Sequence, residues 1–133
     1  MTGNRTLGNR IEEEIAGYLS DKGFWVHLLN QNRAGQPADI IAVKYGIAVL
    51  IDAKNCSTDR FDTHRIESNQ LGSMTLWKSC RNKEWWFACK MKDGEIYMVN
   101  GYAAVSHDTS ISRKDMDLPI ERWCREFENK YWK

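Results

Sequence analysis

Three features of the sequence predict an α/β fold in which a central mixed β-sheet is flanked by helices. Residues 40–43 and 47–51 are apolar at both strand parities, as strands are when both faces of their sheet are covered. Apolar stripes at helical spacing stand near either end of the chain, Ile11, Ile15, Tyr18 and Leu19 in one and Ile120, Trp123, Cys124 and Phe127 in the other. The length, 133 residues, suits one domain whose core needs no disulfide or metal staple. The expected organisation is a single domain over 1–133, with a loose polar arm at 1–8, a core over 9–99 and an extension carrying a helix over 100–133.

The first helix is expected to start after Asn9, whose side chain suits an N-cap, and to stop at Gly23, which suits a C-terminal cap. Aromatic and β-branched residues over 24–29 predict a first strand, and the polar stretch 30–36 a loop. Tyr45-Gly46 reads as a tight turn between the two apolar strands. The polar segment 57–65 is expected to be a loop, and 66–80, through Leu71, Met74, Leu76 and Trp77, a helix. Two further strands, 84–91 and 95–99, flank the hairpin signal Lys92-Asp93-Gly94. Pro119 opens the last helix, in the first turn, where its missing N–H is tolerated.

Charged residues make up 28% of the chain and nearly cancel, to +1, so the total charge does not advertise a polyanion partner as a pI above about 9 would. Any nucleic acid must be met by a local patch. Cys56, Cys80, Cys89 and Cys124 lie far apart with no C-x-x-C pair, which predicts reduced thiols and no zinc site. There is no apolar run of about 18 residues and no signal-type start, so no membrane is expected and the predicted setting is cytoplasmic.

The apolar strands end in charge. Asp39 stands before Ile40, and Asp52 and Lys54 follow Ile51. With Tyr45-Gly46 as a two-residue turn, Lys44 pairs with Ile47, and counting outward sets Asp39 opposite Asp52. Cross-strand neighbours have β-carbons roughly 4.5 to 5.5 Å apart, so two bare carboxylates repel unless one is protonated or a cation lies between them. Carboxylate oxygens suit Mg²⁺ or Mn²⁺, and Mg²⁺ typically combines one or two carboxylates with waters and substrate phosphate. The strand period returns Lys54 to the same face, where an ammonium can stabilise charge on a phosphate or orient a water. The competing reading is a set of solvated charges at the sheet rim, Asp52 paired with Lys54. Spacing alone does not separate the two.

Gly8-x-x-x-Glu12 on the first helix, Gly23-Phe24 after it, Pro37-Ala38-Asp39-Ile40-Ile41, Asp52-Ala53-Lys54 and Gln70 on the next helix form an ordered set. In this set the sequence resembles the PD-(D/E)xK nuclease superfamily, and within it the archaeal and phage-type Holliday junction resolvases with their RecU-like relatives. The resemblance implies a restriction-endonuclease-like core. It also implies that Asp39 and Asp52 bind Mg²⁺, for which Mn²⁺ substitutes, with the Ala53 backbone carbonyl as a further ligand. Lys54 would be the catalytic lysine, Glu12 the acid of the first helix that helps hold the metal or its water, and Gln70 a polar residue orienting the site. At about 100° per residue Glu12 borders the apolar stripe and Glu13 points away; this separates Glu12 poorly from Glu14, and the family spacing selects Glu12. Two departures stand out: Ala38 separates proline from aspartate, and residue 52 is aspartate where glutamate is commoner.

On this reading the chain is a metal-dependent endodeoxyribonuclease, a homodimeric Holliday junction resolvase that cuts branched DNA in a bacterial, archaeal or phage-infected cell. Its rivals are a restriction-like or end-processing nuclease, and a non-catalytic DNA-binding or anti-defence module on the same fold. Candidate phosphate contacts are Arg10, Arg33, Arg60 and Arg65, with Arg33 foremost because it stands closest in sequence to Asp39. Arg5 belongs to the same amino-terminal end, and Lys78, Arg81 and Lys83 cluster farther along. His27, His64 and His107 receive no role. The aromatic run Trp85-Trp86-Phe87 reads as core ahead of base stacking, whereas Trp77, Trp123 and Trp132 are candidates for surface covered by a second copy. A two-fold enzyme suits a symmetric junction.

Overall fold

The computed structural model describes residues 3–29, 38–66, 68–107 and 109–133, with side chains from Arg10 onward. In chain order its elements are α1 (Gly3–Asp21), β1 (Trp25–Leu28), β2 (Ile40–Lys44), β3 (Ile47–Cys56), β4 (Arg60–Asp62), a 3₁₀ turn (Thr63–Arg65) and α2 (Ser68–Ser79). There follow β5 (Trp85–Met91), β6 (Ile96–Asn100), α3 (Gly101–Ala104), β7 (Ser110–Ser112), a second 3₁₀ turn (Arg113–Asp115), β8 (Leu118–Pro119) and α4 (Ile120–Tyr131). Among the described residues six strands form one sheet in the order β1-β2-β3-β5-β6-β8. Neighbours run antiparallel except β3 and β5, whose parallel pairing makes the sheet mixed and requires the long crossover through α2.

Tyr45 (φ 56°) and Gly46 (φ 77°) both take left-handed backbone, as a two-residue hairpin turn requires. That turn sets the register: Lys44 faces Ile47 and Ile40 faces Ile51, as the outward count gives. Lys44 anchors the hairpin by donating to the Lys22 carbonyl at 2.6 Å and to Glu128 on α4 at 2.8 Å.

Helices α1 and α4 cover one face, packing Ile11, Ile15, Leu19, Trp123 and Phe127 against Ile40, Ala42, Val49 and Ile51. On the other face α2, α3 and a β4–β7 ribbon enclose Leu50, Cys56, Phe61, Trp85, Phe87 and Cys89. Residues beyond 100 are part of this body, since β8 extends the sheet and α4 buries Ile120, Trp123, Cys124 and Phe127.

Three expectations are corrected. Helix α1 begins at Gly3, not after Asn9. Leu7 stands four positions before Ile11, so the helical apolar spacing runs back past Asn9 and outweighs the weak helix former Gly8. The segment 57–65 is not a loop, because β4 pairs with β7 and the following turn is capped by Asp62, which accepts from the His64 N–H at 2.9 Å. Phe61 drives this: it is fully buried with its ring 4.8 Å from that of Phe87, a single anchor in a polar stretch. Trp123 is core, stacked on Phe24 and tilted against Phe127, whereas Trp132 is 64% exposed and Trp77 is half-buried. Among the described residues no helix is long and apolar enough to cross a membrane.

Candidate active site

Asp39 enters β2 one residue before Ile40, and Asp52 follows Ile51 in β3, so the observed register carries the two onto one face. The ladder shifts by one residue here: the Asp39 N–H donates to the Ile51 carbonyl at 3.1 Å. Its carboxylate reaches across to accept the Ala53 N–H at 2.8 Å, which ties the Ala53 backbone into the same cluster.

Asp52 is only 1% exposed. Its Oδ1 accepts from Gln70 Nε2, brought in by α2, at 2.8 Å. Its Oδ2 lies 2.9 Å from Lys54 Nζ at angles that make a charge contact without a hydrogen bond, so the acceptor capacity of this buried oxygen is unused. Lys54 is itself buried, with Nζ 3.5 Å from the Arg65 carbonyl and 5.9 Å from the centre of the Phe87 ring. The Asp52–Lys54 ion pair of the competing reading therefore exists, but it is buried, and the same Asp52 also stands against a second carboxyl.

That crowding shows in the acidities. Burial, then the Asp52 charge and a proton shared with the Asp52 carboxyl, push Asp39 up to about 8, against the partial opposition of the Ala53 N–H. Glu12 rises to about 7, through burial first and then the charges of Asp52 and Glu13. Glu14 turns elsewhere and pairs with Lys90.

The raised Asp39 pKa means that the folded, metal-free protein binds more protons than the unfolded chain between the ordinary value of 3.8 and about 8. Stability then falls as pH rises through that window. Thermal melting in EDTA should give a lower Tm at its alkaline end than at its acidic end, and Asp39→Asn should flatten the slope. An equally steep slope in the variant would contradict this assignment.

Among the described residues no three His, Cys, Asp or Glu side chains are gathered closely enough to enclose a metal ion by themselves. Two adjacent carboxyls and one buried, unsatisfied oxygen nonetheless fit a hard divalent cation that completes its shell with water and phosphate. Asp39 and Asp52 would hold it, with Glu12 at the margin.

Of the candidate phosphate contacts, Arg65 borders the cluster directly, its carbonyl near Lys54 and its guanidinium donating to the Asn55 carbonyl at 2.9 Å. Arg60 is tied to Ser110 on β7 at 2.7 Å. Arg10 is exposed on α1, and Arg33 lies outside the described residues. Arg10 also lines a groove of about 390 Å³ with Asn55, Ser57, Lys90 and Lys92, which opens on the α1 side of the sheet at the end of β3. Lys90 and Lys92 carry no local sequence signal, since only the parallel β3–β5 pairing brings them there. His64 remains an exposed residue against Asp62 at 3.1 Å. A cavity of about 490 Å³ between α4 and the sheet, lined by Glu84, Trp86 and Trp123, includes none of the site residues. Charge, not concavity, marks the site, as suits chemistry on a large polyanion.

This arrangement can bind a phosphodiester, place positive charge against it and hold or release protons at two carboxyls. No curated protein matches the sequence. Among solved structures, a Holliday junction resolvase from the archaeal hyperthermophile Archaeoglobus fulgidus superposes with a TM-score of 0.67 at 14% identity, covering 89% of this chain and 98% of that one. The bacterial homing endonuclease I-Ssp6803I superposes with a TM-score of 0.59 at 12% identity, covering 96% of each chain. At such identities these likenesses show the restriction-endonuclease-like fold. The family described as archaeal Holliday junction resolvase (Hjc) matches over residues 3–128, nearly the whole chain, and the protein therefore belongs to that family of nucleases.

Proposed function

We propose that this nuclease is a homodimeric, Mg²⁺-dependent Holliday junction resolvase in which Asp39, Asp52 and Lys54 are the catalytic group. The observation that carries the reading is the buried Asp52, set between the Asp39 carboxyl, the Lys54 ammonium and the Gln70 amide, with one oxygen that meets Lys54 as a charge contact and accepts no hydrogen bond. A divalent metal, which resolvases of this kind generally need, supplies Lewis acidity to the scissile phosphate and makes water a better nucleophile.

The chain's own residues do the rest. Asp39, Asp52 and the Ala53 carbonyl hold the cation, and Glu12 supports it from α1. Gln70 fixes the rotamer of Asp52 through its 2.8 Å hydrogen bond. Lys54 presents a preorganised positive charge to the phosphate, held near the Arg65 carbonyl. Arg10, Arg33, Arg60 and Arg65, joined by Lys90 and Lys92, take the flanking phosphates. Hydrolysis leaves 5′-phosphate and 3′-hydroxyl ends, Mn²⁺ substitutes for Mg²⁺, and the reaction takes place in the cytoplasm.

Dimerisation is supported by α2, which leaves Leu71 (38%) and Leu76 (67%) exposed. A two-fold pair meets two opposed strands of a four-way junction with one site each. The test is incubation of the purified protein with a four-way junction, a linear duplex and a single strand, in Mg²⁺, Mn²⁺ or EDTA, with the oligomer measured by light scattering. A dimer that cuts the junction and is silenced by EDTA is expected. Cutting of all three substrates would move the function to a general nuclease, and binding without cutting to a non-catalytic module.

A further inference from the structure

We propose that Trp25 and His27 on β1 form a stacking plate for an unpaired base of the branched DNA, beside the catalytic group; this rests on the junction-nuclease reading above. The register places them. Trp25 faces Val43 and His27 faces Ile41, and these in turn face Ala48 and Leu50. Leu50, Asp52 and Lys54 alternate onto one face of β3, so both rings share the face that carries the site. Val26, between them, packs into the core of the opposite face.

Among the described residues, neither ring packs into a core cluster. β1 is the edge strand, none of its side chains joins the core on the site's face, and Trp25 is 62% exposed. The two rings already stack on each other nearly parallel, 9° apart with centroids separated by 6.0 Å, so an ordered aromatic pair is assembled in advance, and its outer face can take a base as the next ring of the stack.

The scale suits a nucleotide. His27 is one row from Asp39, roughly 7 Å along the strands and one strand spacing, about 5 Å, to the side. Trp25 is one row farther, and stacked nucleotides advance about 3.4 Å each, so DNA with a phosphate at Asp39 and Asp52 brings bases roughly two or three positions away over His27 and four or five over Trp25. Every base offers a π face, which makes such a plate tolerant of sequence. The arms of a duplex keep their bases paired and stacked, whereas a branch point can release one. The plate therefore favours branched over linear DNA.

The test compares the full-length protein with Trp25→Ala and Trp25→Phe, on a linear duplex and on a four-way junction carrying 2-aminopurine at the branch point. Trp25→Ala should raise the Kd and KM for the junction about tenfold, with kcat and duplex affinity near the parental values. The 2-aminopurine signal should change with the parent and the phenylalanine variant and stay flat with the alanine variant. Parental junction binding by Trp25→Ala would overturn the plate. So would a loss that accompanies conversion of a dimer to a monomer, which would make the strip an interface between copies. A parent that neither binds nor cuts the junction would remove the nuclease reading and the plate together, a result distinct from a cutting parent in which Trp25 is silent.

Discussion

Replacing Asp52 with asparagine is expected to reduce junction cleavage at least about a hundredfold while folding and DNA binding survive. Asparagine keeps the shape of the side chain and an acceptor for Gln70, whose amide lies 2.8 Å from Oδ1. It removes the negative charge that faces Lys54 and the Asp39 carboxyl, and with it one of two carboxylates able to hold a cation. Two effects on stability oppose each other: the Lys54 contact weakens, and the repulsion that raises Asp39 and Glu12 is relieved. A neutral residue also lessens the negative charge presented to DNA, so affinity is held or improved. Cleavage rates under single-turnover conditions, with circular dichroism and binding as controls, check the expectation. Near-parental cleavage would remove Asp52 from the site.

The largest effect on stability is expected from Gly101→Ala. A Cβ at position 101 would stand 1.7 Å from Trp85 Cε3 and 2.4 Å from Cζ3. The indole cannot retreat: Trp85 is fully buried, with ring neighbours Phe87 at 5.0 Å and Tyr102 at 5.9 Å. Overpacking a close-packed core costs about 1–3 kcal/mol or more, and a rigid ring puts this case at the upper end. A fall in Tm of roughly 10 °C should follow. An unchanged melting curve would mean that the β6–α3 junction yields more easily than this packing implies.

Strands β2 and β3 were legible because their turn is local: Tyr45-Gly46 sets the register, and the register sets which residues face each other. Counting brought Asp39 beside Asp52, although the ladder slips by one residue at Asp39 and the two are not a regular cross-strand pair, and Lys54 followed by the strand period. Gln70 was different. Helix α2 leaves Leu71 and Leu76 exposed and buries Gln70, so its apolar pattern misleads, and only the family resemblance pointed to that amide.

What escaped the sequence depends on distant pairing. The β4–β7 ribbon joins residues about fifty positions apart through three-residue strands, too short to show a periodicity of their own. Lys90 and Lys92 reach the groove beside Arg10 only through the parallel pairing of β3 with β5. Trp25 stood in a β-prone aromatic run that predicts a strand, and its exposure follows from an edge position that local pattern does not encode. Trp123 carried two readings, one in the buried stripe of the last helix and one as surface for a partner, and the sheet beneath it decides for the first.

Mapping the cuts made on a four-way junction by the parent and by Asp52→Asn decides whether this site resolves junctions. Paired cuts at symmetric positions on two opposed strands near the branch point, dependent on a divalent metal and absent from the variant, are the expected result. Cuts scattered along the arms, or cuts that persist in the variant, would contradict it.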